Sequence, residues 1–328
     1  MENLLKDSTV VESQRVKKYR KILESYGIII LLILAIVIIS IFNPRFMSIA
    51  NIINLSKQIV PMGLIALGAM FVLMAGGLDL SAGAGSTMAG AIMGIVFYYT
   101  NNIFLSIIVC LASALIIGSI NGLLITKVGF SAVIATLAMM TLLQGGIQLV
   151  LGGKSIFLEN NILQYISRGS ILKVPFAFLI LLFFYLIGYY LLNHTRFGVY
   201  AVAIGANENN AKMAGINIPV IKFTTYMLSS FLMGISGIVL VSRMALISPA
   251  MSGFPILLDG FSAAVIGGTS VTGGKGSIGG VFLGVIFIGI ITNALVFLNI
   301  PAEAQDLYRG LLIAFALIFE RLIRLRKQ

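Results

Sequence analysis

Few side chains in this chain can do chemistry, and their positions narrow what that chemistry is. Two carboxylates fall inside apolar sequence. Asp79 sits in the glycine-rich stretch 76–86, and Asp259 lies just before a second such stretch, 267–277. Arg243 is a third candidate. An ionisable group at membrane depth is costly and marks a functional position by default. Three roles are open to Asp79: capping free N–H groups at a helix start, contacting substrate hydroxyls, or relaying a proton.

Nucleophilic, metal and nucleotide chemistry have no footing. A single His194 and a single Cys110 cannot build a His/Cys metal cluster. Cys110 lies in an apolar run and reads as a small buried hydrophobe. Gly273-Gly274-Lys275-Gly276-Ser277 approaches a phosphate loop, but the pattern needs glycine at 269 and a hydroxyl residue at 276. The chain has Thr269 and Gly276 there. No nucleophile elbow of the G-x-S-x-G kind occurs. The expectation is a non-enzyme with no metal or cofactor of its own.

The glycine stretches resemble each other. Gly76-Gly77-Leu78-Asp79-Leu80-Ser81-Ala82-Gly83-Ala84-Gly85-Ser86 aligns without gaps on 267–277, with five of eleven positions identical. Helix-breaking sequence at membrane depth survives only beside protein or a water-filled cavity. Paired breaks in two halves of a chain point to a transport path. The candidate path residues are therefore Gly76, Gly77, Asp79 and Ser81 from the first break, with Asp259, Gly267, Gly268 and Thr269 from the second. Asn293, in the span that follows, joins them. Gly94, inside an apolar run, is expected to tolerate enlargement better than Gly77 or Gly268.

The elements that position these residues are membrane spans. Hydrophobic residues make up 59% of the 328 and charged ones 10%, with mean hydropathy +1.06. Soluble proteins carry roughly 25% charge. Ten apolar runs are predicted as spans: 27–42, 52–75, 79–98, 103–126, 130–151, 174–193, 219–241, 255–271, 278–298 and 306–322. The second, third and eighth are open to being broken or re-entrant. The fold class is an all-α integral membrane protein. A basic segment, 1–26, precedes one transmembrane domain, 27–322, and a basic tail, 323–328, follows it.

The net charge of +11 is a topology signal, not a sign of nucleic-acid binding. With both ends in the cytoplasm, inside segments hold 15 of the 22 basic residues, as the positive-inside rule requires. The long inside loop 194–216 is polar around Asn207, Glu208, Asn209 and Asn210. Asn207 could cap a short helix that Gly215 would stop, with Gly205 at its entry.

Further stretches include Asn51-Ile52-Ile53-Asn54-Leu55, Asn121-Gly122-Leu123-Leu124-Ile125-Thr126-Lys127 and Ala203-Ile204-Gly205-Ala206-Asn207-Glu208. With the two glycine breaks they span about 43–322. The chain resembles the ribose-type permease subunits of bacterial ATP-binding-cassette sugar importers. The resemblance implies a dimeric path-forming subunit in the plasma (inner) membrane, in the vitamin B12-type (type II) architecture. It implies a separate ATPase subunit inside, which binds ATP and Mg, and a sugar-binding protein outside. The second permease copy is either identical or homologous. The loop 194–216 becomes the coupling element, with Gly205, Asn207, Glu208, Ala211 and Gly215 at the ATPase contact. Leu257-Leu258-Asp259 and Ser248-Pro249-Ala250-Met251-Ser252-Gly253 depart from the ribose-type pattern, which leaves the sugar open. The competing reading is an ion-coupled secondary transporter working through Asp79 and Asp259.

Overall fold

The computed structural model describes residues 32–301, with Ile29 and scattered positions between Ala304 and Leu311. The segment 1–26, most of the expected span 306–322 and the tail 323–328 lie outside the described residues. The chain runs through α1 (Leu32–Phe42), a 3-10 turn at Pro44–Met47, α2 (Ile49–Met74), α3 (Ala82–Thr100) and α4 (Ile103–Leu123). A π turn, Leu124–Val128, extends α4, and α5 (Ala132–Leu151) follows. Next come β1 (Ile156–Phe157), α6 (Asn161–Arg168), β2 (Ser170–Ile171), β3 (Val174–Pro175), α7 (Phe176–His194), α8 (Arg196–Ala206) and α9 (Glu208–Met213). The described part closes with α10 (Ile218–Met244), β4 (Leu246–Ile247), α11 (Phe254–Ile266) and α12 (Ile278–Phe297).

Among the described residues six helices are long and apolar enough to cross a membrane: α2, α4 with its π turn, α5, α7, α10 and α12. Two expected spans fall short for physical reasons. Helix α3 has the length, but Gly, Ser, Thr and a Tyr pair dilute its hydropathy. Helix α11 has only 13 residues, about 20 Å of rise against a hydrocarbon core of about 30 Å. It is a half-span. Its first residues start deep in the bundle, where the Gly253 and Gly83 backbones meet with no room for a Cβ on either.

Helices α2 and α10 form the centre. The apolar window of α2 is 89% buried, against 22% for α7. The two run antiparallel, with Gly68 against Ser229 and the Ser236 hydroxyl donating to the Pro61 carbonyl at 2.9 Å. Small residues allow the close approach that membrane packing relies on. Gly237 faces the Ser86 carbonyl, and Gly118 faces Ser230. Helix α3 runs parallel to α10: Asp79 just before it meets Ser229, Ser86 meets Ser236, and Gly90 meets Val241.

The bundle therefore has two distinct ends. The break end holds both glycine stretches, α8 and α9. The far end holds the turn after α3, the antiparallel pair β1–β4 and the β2–β3 hairpin. These two-residue strands were not foreseen from sequence. They are too short to show a period-2 pattern.

Candidate functional site

Both breaks begin the same way. Helix α2 ends in a Schellman turn, with Gly76 N–H donating to Leu73 O at 2.9 Å and Gly77 N–H to Val72 O at 2.9 Å. Helix α11 ends identically, with Gly268 N–H on Val265 O at 2.9 Å and Thr269 N–H on Ala264 O at 3.0 Å. Gly76 has φ +76° and Gly268 has φ +88°, the left-handed conformation this turn needs. The structural partner of Gly76 is thus Gly268. The ungapped sequence alignment pairs it with Gly267 and is one residue out of step. The second break is also longer, because α12 starts after Ser277 whereas α3 starts after Ser81.

The first break is held by a polar lock. The Ser81 N–H and hydroxyl donate to Asp79 Oδ1 at 3.0 and 2.6 Å. The Ser229 hydroxyl donates to Asp79 Oδ2 at 3.1 Å, and Asn121 Nδ2 donates to Ser81 Oγ at 2.8 Å. One residue earlier, the Leu78 carbonyl accepts from Tyr226 at 3.3 Å and from Thr136 at 3.2 Å. Asp79 is 7% exposed. Both of its oxygens accept hydrogen bonds, one of them from the Ser81 N–H at the start of α3. Tyr226 also explains Gly77: a Cβ there would stand 2.7 Å from the Tyr226 hydroxyl. Asn121, Thr136, Tyr226 and Ser229 were missed in the sequence reading. Their signal was polarity inside apolar spans, which single residues give only weakly.

The second break is held by backbone. Gly267 abuts the Gly280 backbone, and Ser270 N–H donates to Lys275 O at 3.0 Å. Thr269 is fully buried, and its hydroxyl has no hydrogen-bond partner among the described residues. Asp259 is half-buried on α11, next to Gly260, which packs on the Met62 carbonyl. Asn293 belongs to the far end of α12. Its Oδ1 accepts from Asn51 Nδ2 at 2.9 Å, tying α12 to the start of α2. Arg243 is exposed in the last turn of α10, toward the far end of the bundle. At Gly94 an added Cβ would lie 2.9 Å from a methyl of Ile247, against 2.7 Å from the Tyr226 hydroxyl at Gly77.

The loop 194–216 is mostly helical. Asn207 separates α8 from α9 and caps α9, accepting from Asn210 N–H at 2.9 Å. A third Schellman turn stops α9: Gly215 (φ +78°) donates to Lys212 O at 3.0 Å, and Ile216 donates to Ala211 O at 3.1 Å. Ala211 is the buried residue of α9. Glu208 is engaged within the chain, in an ion pair with Lys222 of α10 at 2.6 Å. Met213 is 80% exposed.

Gly205 does not make an entry turn. It is the penultimate residue of α8, and a Cβ there would overlap the Met74 carbonyl and stand 2.5 Å from Gly274 N. Gly274 N–H donates to that same Met74 carbonyl at 3.0 Å, and a Cβ at Gly76 would lie 3.8 Å from the Gly205 Cα. The end of α8 is thus wedged between the two breaks, backbone on backbone. Beside it opens a polar cleft of about 920 Å³, lined among others by Gly76, Thr126, Asn207, Lys222 and Thr272.

Cys110 is buried, and its thiol faces the Gly234 carbonyl at 3.7 Å. His194 is exposed and stacks on Tyr190. No group of three metal-ligating side chains occurs among the described residues.

Comparison with known proteins adds an independent line. Residues 51–317 match the family described as "Branched-chain amino acid transport system / permease component". The ribose import permease protein RbsC of Haemophilus influenzae is 34% identical over 302 residues, covering 91% of this chain and 93% of that protein. RbsC of Bacillus subtilis is 34% identical, covering 92% and 94%. The L-arabinose transport system permease protein AraH of Escherichia coli is 31% identical, covering 92% of each. No solved structure matches.

Proposed function

Because the chain belongs to the branched-chain amino acid transport system permease family, we propose that it is the path-forming subunit of an ATP-binding-cassette importer for a monosaccharide. It is a multi-pass membrane permease, and relatives named for ribose and for arabinose favour an aldopentose. In this reading two permease copies form the path. An ATPase subunit docks on α9 from the cytoplasm, and an extracytoplasmic binding protein delivers sugar at the far end. The break end and both termini are cytoplasmic. The half-span α11, with α1, α3 and the expected last span, brings the count to about ten in a type II arrangement.

The observation that carries the reading is the wedge at Gly205. A docking helix on a free loop could not drive a path. Here the end of α8 bears directly on both glycine breaks, so a push on α9 is passed through α8 to the end of α2 and to the loop before α12 together. The locked Asp79 supports the same view, since a coupling carboxylate must exchange its ion and this one is engaged on both oxygens.

Reconstitution tests it. Proteoliposomes holding the chain, the ATPase and the binding protein are expected to take up ribose or arabinose only with ATP. Uptake by the chain alone under a proton or sodium gradient would overturn the proposal in favour of a secondary transporter.

A further inference from the structure

An apolar groove of about 450 Å³ opens on the lipid-facing side toward the far end. Helices α4, α7 and α10 form its walls through Ile107, Leu179, Ile180 and Val239, and α6 roofs it with Ile166. Phe176 and Phe183 place it along the first two turns of α7, a depth of roughly 12 Å below the helix start. That is most of one leaflet of a core about 30 Å thick. Water has no polar partner in such a slot, which suits a hydrocarbon chain.

The roof carries charge. Helix α6 buries Leu163 and Ile166 and ends at exposed Arg168. The β2–β3 hairpin that leads into Phe176 carries exposed Lys173. Neither cation makes an ion pair among the described residues. Glu159, the acid of this stretch, lies before the other end of α6. Two unpaired cations beside the mouth of an acyl-chain slot match a phosphate over its own chain. We propose that this groove is a binding site for an anionic phospholipid, its acyl chain between α7 and α10 and its phosphate on Arg168 and Lys173. The proposal stands independently of which solute the chain transports.

The test uses the purified full chain in mild detergent, titrated with phosphatidylglycerol or phosphatidylcholine and read by native mass spectrometry. Wild type is expected to retain phosphatidylglycerol preferentially. Arg168→Gln with Lys173→Gln should lower that retention about fivefold per cation removed, leaving phosphatidylcholine unchanged. Ile180→Trp, checked for helical content by circular dichroism, should lose both lipids. If that variant fails to fold, the exposed Arg168 and Lys173 changes decide the matter. Equal retention of the two lipids by wild type would overturn the proposal. So would undiminished phosphatidylglycerol in a folded Ile180→Trp, or disulfide formation between two copies of a Leu179→Cys variant, which would place a second chain on the groove.

Discussion

Gly205 is small because three backbones share its space, not because it turns. Overpacking a site with no flexible side chain to move costs about 1–3 kcal/mol. Gly205→Ala is therefore expected to lower the unfolding temperature and to depress ATP-driven uptake at matched expression. Gly279→Ala, where an added Cβ meets nothing within 4 Å, should do neither. Equal effects would show that the wedge is slack. Asp79 makes a second test at this scale. Asp79→Asn keeps an acceptor for Ser81, whereas Asp79→Leu strands two hydroxyls and an N–H at about 1–3 kcal/mol for each buried group. Thermal unfolding should rank Leu well below Asn, and Asn should keep most uptake. A relay would lose uptake with either substitution.

Among the elements, α9 exposes all its residues but Ala211. Glu208→Lys would break the pair with Lys222 inside the chain, so any loss of docking in that variant would not report on a partner alone. Met213 is the cleaner probe, being exposed at the last turn of α9. Met213→Asp is expected to abolish co-purification with the ATPase while leaving insertion and thermal stability unchanged. Retained co-purification would move the docking site off α9. The α9 caps were legible in the sequence because Asn207 and Gly215 act locally, through their own backbone. So were the positions of most spans, which follow from apolar run length. The partners of the breaks were not legible. Gly205 meeting Met74, and Asp79 meeting Ser229, are contacts between distant segments, and no local pattern in either segment encodes them. At α11 the sequence left a broken or re-entrant span open but misplaced its end, because the apolar run continues past the helix into the turn.

For the molecule as a whole, the two ends give the topology a direct test. Asn209 on α9 and Asn101 after α3 lie at opposite ends and are both exposed. Single cysteines at the two positions, in a Cys110→Ser background, are expected to react with an impermeant maleimide only from the cytoplasm and only from outside, respectively. The 15-to-7 split of basic residues sets that direction. Labelling from the reverse sides would invert the orientation and remove α9 from the ATPase.

The wedge also has a consequence for biosynthesis. Ribosomes deliver the chain from its N-terminus, and folding follows that order where it can. Met74 emerges early and Gly205 after the midpoint, but Gly274, which donates to the Met74 carbonyl and flanks Gly205, is made later still. The seat of the α8 end, from which α9 follows, is therefore complete only when Gly274 is in place. In the proposed importer, a permease stopped before the second break has no finished surface to offer an ATPase, so subunit assembly would also check that this break has been made. Chains stopped after residue 252 are expected to insert in the membrane yet fail to capture the ATPase in a pull-down, while chains stopped after residue 300 capture it. Capture by the shorter product would show that the seat forms without its last wall.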